Sequence, residues 1–297
     1  MALVTVALVA GSQALASTGP MYVTSDTTLT EDHFGSVFIT ADDVTLDCAG
    51  HAVIGGGVGT SVSVGIDVLA NGVTVTNCVV RGFLTGVFTA AQGTHVVADT
   101  LSENNEGLRL QGATGASILG NTADANAWWG ILACCNANGN TISGNSTKLN
   151  RIVGMGLNGA SWNVFTNNVA AHNERGFGVG FSSDHNTISH NVAANNSVTG
   201  FDFLDANDNA IDTNVSVRNG SGPNGGGYAF NNSSRNTVTG NIATNNGSSG
   251  FNVFFGSELN LFTANHACRN FFGDAFDSSL GAGNTWIDNH FCNSSLP

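Results

Sequence analysis

Apolar and polar residues alternate at two-residue spacing through most of the chain, as in Leu108/Leu110, Phe201/Phe203 and Phe251/Val253. That period places alternate side chains on one face of a strand. The strands so marked are short, because Asn and Gly interrupt them every few residues. The pattern also repeats. NVFTNNVAAHNERGFGVGFSSDH (163–185) aligns with NTISHNVAANNSVTGFDFLDAND (186–208), setting Asn168 over Asn191, Ala170 over Ala193 and Asn173 over Asn196. Openings recur at Asn140, Asn163, Asn186, Asn209, Asn236, Asn260 and Asn284, at intervals of 23, 23, 23, 27, 24 and 24.

A repeat of this length predicts a solenoid, and its content selects the kind. A leucine-rich repeat needs a Leu ladder with an Asn-x-Leu core, which is absent. A helical repeat needs a 3.6-residue period rich in Ala, Leu, Glu and Lys, whereas Lys148 is the chain's one lysine. Short strands with Asn and Gly corners predict a parallel β-helix, with like side chains of successive coils stacked ~4.8 Å apart. Asn145, Asn168, Asn191, Asn214, Asn241, Asn265 and Asn289 then form an amide ladder at one turn. Asn is also expected there because it tolerates the left-handed conformation of a corner.

Taken in order, residues 1–16 (MALVTVALVAGSQALA) read as a secretory signal cut before Ser17. No other stretch approaches the ~20 apolar residues of a membrane span. Residues 17–38 lack the repeat and are expected to cap an otherwise open solenoid end. The β-helix is assigned to 39–297, with a loop at the insertion RNGSGPNGGGY (218–228).

The motifs ADDVTLDCAGHAVIG (41–55) and GVTVTNCVVRGF (72–83), followed by the Asn-led coils, resemble the right-handed parallel β-helix repeat proteins of the pectin-lyase-like superfamily. The resemblance covers essentially everything after residue 38. It implies an all-β fold: a single right-handed parallel β-helix (solenoid) of about ten coils with an N-terminal cap. For function it implies a range, from polysaccharide lyases, hydrolases and uronate epimerases to copper-related periplasmic proteins and phage tailspikes, so fold alone selects none.

Composition narrows that range. The formal charge is −13, with eight Lys and Arg. Binding an anionic polyuronide calls for a basic groove or bridging Ca²⁺, and nucleic acid is disfavoured for the same reason. The Asp-Pro-His-Glu tetrad of the resembled epimerases is missing. The adjacent-Asp pair of the polygalacturonase-like hydrolases has no counterpart, since the one Asp-Asp is Asp42-Asp43 in the first coil.

Three groups of residues remain as candidates. Asp202 and Asp205 are a candidate carboxylate pair for glycoside hydrolysis, with His185 and Asp208 nearby; phase puts His185, Asp208 and Arg235 in one stacked corner slot. Arg109, Asp202 and Asn252 share an outward row, with Gln111, Asn158 and Asn231 two residues on and Trp129 beside them. Amides with an aromatic platform suit neutral sugars. Third, Asn265-His266-Ala267-Cys268 and Asn289-His290-Phe291-Cys292 repeat a His-x-Cys phrase one coil apart. Stacked, those four side chains give a Cys268–Cys292 disulfide, a donor set for Zn²⁺ or Cu(I), or two free thiols. Cys48 and Cys78 are expected to bridge, while Cys134 and Cys135 are either free thiols or a vicinal bond.

The expected function is an exported carbohydrate-interacting solenoid, binding a polysaccharide or cell-surface glycan along its exposed face and requiring no cofactor. A glycoside hydrolase built on Asp202 and Asp205 is the alternative; a structural or adhesive solenoid without ligand is the other.

Overall fold

A computed structural model describes residues 17–57, 64–220, 225–254, 256–279, 283–294 and 296. The expected signal (1–16) and the centre of the 218–228 insertion (221–224) lie outside the described residues.

Every described strand pairs in parallel with a strand of a neighbouring coil, and three strands make most coils. Sheet one runs in twelve strands from Met21–Val23 to Gly273–Asp277, and sheet two in twelve from Thr27–Thr28 to Thr285–Ile287. Sheet three is in two parts, of five strands (Ser17–Thr18 to Thr100–Ser102) and seven (Ser146–Lys148 to His290–Phe291). Thr122 bridges the parts, pairing with both Thr100 and Ser146. The solenoid is therefore slightly longer than the ten coils expected. Residues 17–38 contribute to this, because they are continuous with the coils: Ser17–Thr18 pairs with His33–Phe34, and Met21–Val23 with Val37–Ile39.

The interior is built of columns. Phe177, Phe201, Tyr228 and Phe251 stack with centroids 4.8 Å apart and planes within 7°. The parallel register aligns identical positions, so flat rings meet face to face at the strand spacing. The Tyr228 hydroxyl, fully buried, donates to the Asn214 carbonyl at 2.8 Å. Beside this column Gly176 and Gly200 fill a slot with no room for a side chain. A Cβ on Gly200 would lie 2.2 Å from Ser216 Oγ and 2.7 Å from the Gly227 carbonyl oxygen.

Buried amides line all three corners, not one. The Asn145 column is present, the coil-opening Asn140 column is a second, and a third runs through Asn126, Asn150, Asn173, Asn196, Asn219, Asn246 and Asn270. At Asn191, Oδ1 accepts from the backbone N–H of Asn168 (2.9 Å) and its Nδ2 (3.0 Å), while Asn191 Nδ2 donates to the Phe165 carbonyl (2.9 Å) and Asn214 Oδ1 (3.0 Å). Each amide is thus saturated and dry.

The left-handed residue at a corner is not the column Asn but the residue before it. Asn167, His190 and Thr213 have φ of 56°, 56° and 49°, directly ahead of Asn168, Asn191 and Asn214. Trp162, Arg235 and Leu259 do the same ahead of Asn163, Asn236 and Asn260. The reversed turn swings the next side chain inward. Asn is required for its saturated amide, and the strained position accepts many side chains at ~1–2 kcal/mol each.

Candidate functional site

Sheet one has the longest strands, five or six residues in most coils, and its outer face carries the pattern that matters for function. The register brings the expected rows together. Arg109, Leu132, Gly156, Gly178, Asp202, Ala229 and Asn252 stand one above another. Gln111, Cys134, Asn158, Gly180, Leu204 and Asn231 form the row two residues on. Two glycines in the middle of the first row leave a depression. Trp129, one coil before Gly156, folds into it: a Cβ on Gly156 would lie 2.2 Å from Cζ3 of the indole.

The result is a hollow of about 260 Å³ walled by Trp129, Val153, Asn158, Phe181 and Leu204, with Arg175 and Asp202 at its polar side. Arg175 Nε meets Asp202 Oδ2 at 3.0 Å, and its Nη1 meets Glu174 at 2.9 Å. Burial raises the Asp202 carboxyl above the ordinary carboxylate range, with the Arg175 charge pulling the other way. A second hollow, about 310 Å³, lies nearer the N-terminus between Phe88, Glu106, Arg109 and Trp128. It repeats the theme: Glu106 meets Arg109 at 3.4 Å, and burial raises its carboxyl against the pull of Arg109. Glu106, Trp129, Val153 and Arg175 occupy one row, so the two arginine–carboxylate pairs are about three rungs, ~14 Å, apart.

The other expected residues are placed differently. Asp205 sits at a left-handed corner (φ 52°) and accepts a hydrogen bond from Asn232, so the two carboxylates of the expected pair face different partners. Asp208 takes a two-pronged bond from Arg235 at 2.9 and 2.8 Å, which holds its carboxyl below the usual range. His185 stacks on Trp162 with centroids 4.3 Å apart. This corner column is exposed and separate from the hollow. Asn252 shares the outward row but is only 3% exposed, so its amide does not face solvent.

Arg175, Phe181, Glu106 and the Gly156/Gly178 floor do not stand out in the sequence. A signal for Arg175 is present in the coil alignment, where it falls in the slot of Trp129 and Glu106. Alternation marks which residues face outward, but not which neighbours leave a gap.

At the far end, Cys268 and Cys292 are joined by a disulfide with Cα atoms 5.1 Å apart. His266 and His290 stack outside it, rings 5.0 Å apart and parallel within 2°. The histidine slot faces outward, since Ala267 between His266 and Cys268 is fully buried. Cys48 and Cys78 form the expected bridge. Cys134 and Cys135 are free, with sulfurs 3.0 Å apart; burial pushes the Cys134 thiol up to about 11.

These features define a right-handed β-helix protein of the pectin-lyase-like kind, and the family model of the right-handed β-helix region matches residues 25–170. The family model described as periplasmic copper-binding protein (NosD) matches residues 130–294, more than half of the chain. The chain belongs to that family. Among solved structures, a mutant of the periplasmic alginate epimerase AlgG is similar with a TM-score of 0.75 at 14% identity, over 91% of this chain and 76% of that one. The Dettilon tailspike protein (gp208) has a TM-score of 0.67 at 18% identity, over 92% of this chain and 60% of its own length. DFA-IIIase from Arthrobacter chlorophenolicus A6, without its lid, has 0.55 at 14%, over 84% and 69%. At these identities the likeness is one of fold. No curated protein matches in sequence.

Proposed function

We propose that the protein is an exported β-helix that holds a neutral or weakly charged glycan along the outer face of sheet one. The observation that carries this is the hollow over Gly156 and Gly178. An indole lies in it against the glycine floor, an amide (Asn158) and an arginine–carboxylate pair line its rim, and a similar hollow precedes it by about three rungs. Aromatic faces accept the C–H faces of a sugar ring, and the rim groups share its hydroxyls. The paired charges cancel within each hollow, which suits an uncharged ligand on a chain of net charge −13. A solved protein of this fold is an alginate epimerase, which supports a polysaccharide as the partner without selecting a neutral one. Among the described residues, no helix is long and apolar enough to cross a membrane.

The test is a panel of soluble polysaccharides, scored for retention and for new reducing ends, with native protein and Trp129→Ala. Retention lost in Trp129→Ala supports the reading. New reducing ends abolished in Asp202→Asn would make the protein a glycoside hydrolase instead. No retention on any glycan would leave a structural or adhesive solenoid.

A second reading, metal holding, is favoured by one arrangement. Ligand atoms of His266, Cys268 and His290 lie within 4.8 Å of one another, in a family whose description names copper. The donors fit Zn²⁺ or Cu(I) in one redox state only. With the disulfide closed, two imidazoles remain; with it open, the Cys268 thiolate joins them and the Cys292 thiolate is released beside it. Metal analysis of protein purified without chelator, before and after reduction, tests this reading.

A further inference from the structure

The geometry points to the Cys268–Cys292 disulfide as a redox lock on a soft-metal site made by His266, Cys268, His290 and Cys292. This inference rests on the metal-holding reading and adds what controls it.

Four observations carry it. First, the donors are assembled by the coil register rather than by the disulfide. His266 pairs with His290 across the sheet, Asn265 bonds Asn289 at 2.8 and 2.9 Å, and the Cys292 N–H donates to the Ala267 carbonyl at 3.2 Å. Opening the bond therefore leaves the Cys268 ligand atom within 4.8 Å of those of both imidazoles, with Cys292 on its far side next to Cys268. Second, the bond is accessible. Cys292 is exposed, and Cys268, Cys292 and His266 border an open hollow of about 380 Å³. The Cys48–Cys78 bridge is closed off in the core, with neither cysteine more than 1% exposed. A reductant in solution thus meets one bridge and not the other. Third, the nearby carboxylate is already committed. Asp274 Oδ1 accepts from the backbone and side-chain nitrogens of Asn270, and Oδ2 from the Asn293 N–H, so the available set is two nitrogens and two sulfurs. Fourth, in the first His-x-Cys phrase imidazole and sulfur share one outward strand face, with Ala267 buried between them.

The chemistry balances with a dithiol as reductant. The disulfide takes up two electrons and two protons, giving two thiols, and the dithiol leaves as its own disulfide. Binding a thiophilic cation releases the thiol protons. Reoxidation by exchange with a second disulfide, which leaves as its dithiol, withdraws the two electrons from the sulfurs and removes both thiolates from the donor set.

The experiment uses full-length protein carrying Cys134→Ser and Cys135→Ser, so that the free vicinal pair adds no thiols. Protein is treated anaerobically with dithiothreitol, desalted, and titrated with Zn²⁺ or Cu(I) against a chromophoric chelator, beside an untreated sample. Circular dichroism monitors the fold. The expected result is one metal per chain in the reduced form and binding at least about a hundredfold weaker in the oxidised form. His266→Ala and His290→Ala should each weaken the reduced site at least about tenfold. Equal binding in both redox states would overturn the lock while leaving the metal-holding reading standing. Absence of binding in the reduced form, or binding indifferent to both histidine variants, would overturn both. A bond that yields to the dithiol only when the chain is denatured would also overturn the lock.

Discussion

The Trp129 indole occupies the space that a side chain on Gly156 would fill, since a Cβ at that position would fall 2.2 Å from its Cζ3. One coil on, a Cβ on Gly178 would meet nothing nearer than 3.5 Å, at Val153. The two glycines of the floor are therefore unequal. Gly156→Ala should expel the indole and reduce glycan retention at least about tenfold. Gly178→Ala should leave Trp129 in place. Tryptophan fluorescence together with affinity electrophoresis on the bound glycan checks both; an unchanged emission spectrum in Gly156→Ala would count against this geometry.

Arg175 and Arg235 make similar ion pairs in different settings. Arg175 faces Asp202 inside the hollow, whereas Arg235 faces Asp208 at an exposed corner. Arg175→Ala leaves a half-buried carboxylate unpaired and should weaken glycan binding. Arg235→Ala removes a surface pair of small net value and should leave binding unchanged. Titration calorimetry on the two variants separates the hollow from the corner as the binding site.

Asp99 heads the amide column that continues through Asn121. It is 1% exposed, its Oδ1 accepts from the Cys78 N–H at 2.7 Å, and its Oδ2 has no partner. Burial pushes its carboxyl up to about 7. The native state thus retains a proton that the unfolded chain, at about 3.9, releases. Stability should fall as pH rises from about 4 to about 7 and level off above that, by at most about 4 kcal/mol. Asp99→Asn, which matches the amides above it, should remove this slope. Its gain over the native protein should be largest at pH 8 and vanish near pH 3. Urea unfolding at a series of pH values measures it.

Asn191 and Asn167 differ in role although both lie at corners. Asn191→Ala strips four hydrogen bonds from a dry site and should cost at least about 3 kcal/mol. Asn167, exposed with φ 56°, should tolerate Ala at about 1 kcal/mol and Gly at no cost. Thermal melts of the three variants decide the order.

Much of the fold is legible in the sequence because stacking repeats its own constraints. Asn168 over Asn191 and Phe201 near Phe177 are visible as letters in register, and each reports one inward position. Asn173 and Asn196 are equally visible, yet only the structure shows them as a buried column, since Gly and Asn in a loop read as turn residues. The site is less legible. Asp202 stands out because it interrupts a run of phenylalanines. Its partner Arg175 stands 27 residues earlier, and no local pattern joins them. Sequence spacing misleads over Asp205 and Asp202 for a similar reason: the chain turns sharply between strand and corner, so three residues along it lead to a different neighbour.

The amide columns have a direction. Asn168 gives its backbone proton and one side-chain proton to the oxygen of Asn191, and Asn191 does the same to Asn214, always toward the C-terminal coil. A stack of this kind has the polarity of a one-way polymer. Two of the columns end on a carboxylate: Asn284, last in the coil-opening column, donates to Asp277 at 3.2 Å, and the third column ends likewise. Asn270 gives both protons to Asp274, and the second carboxylate oxygen is taken by Asn293. A carboxylate accepts and offers nothing onward, so this column is chemically terminated, as a chain-ending unit stops a polymer.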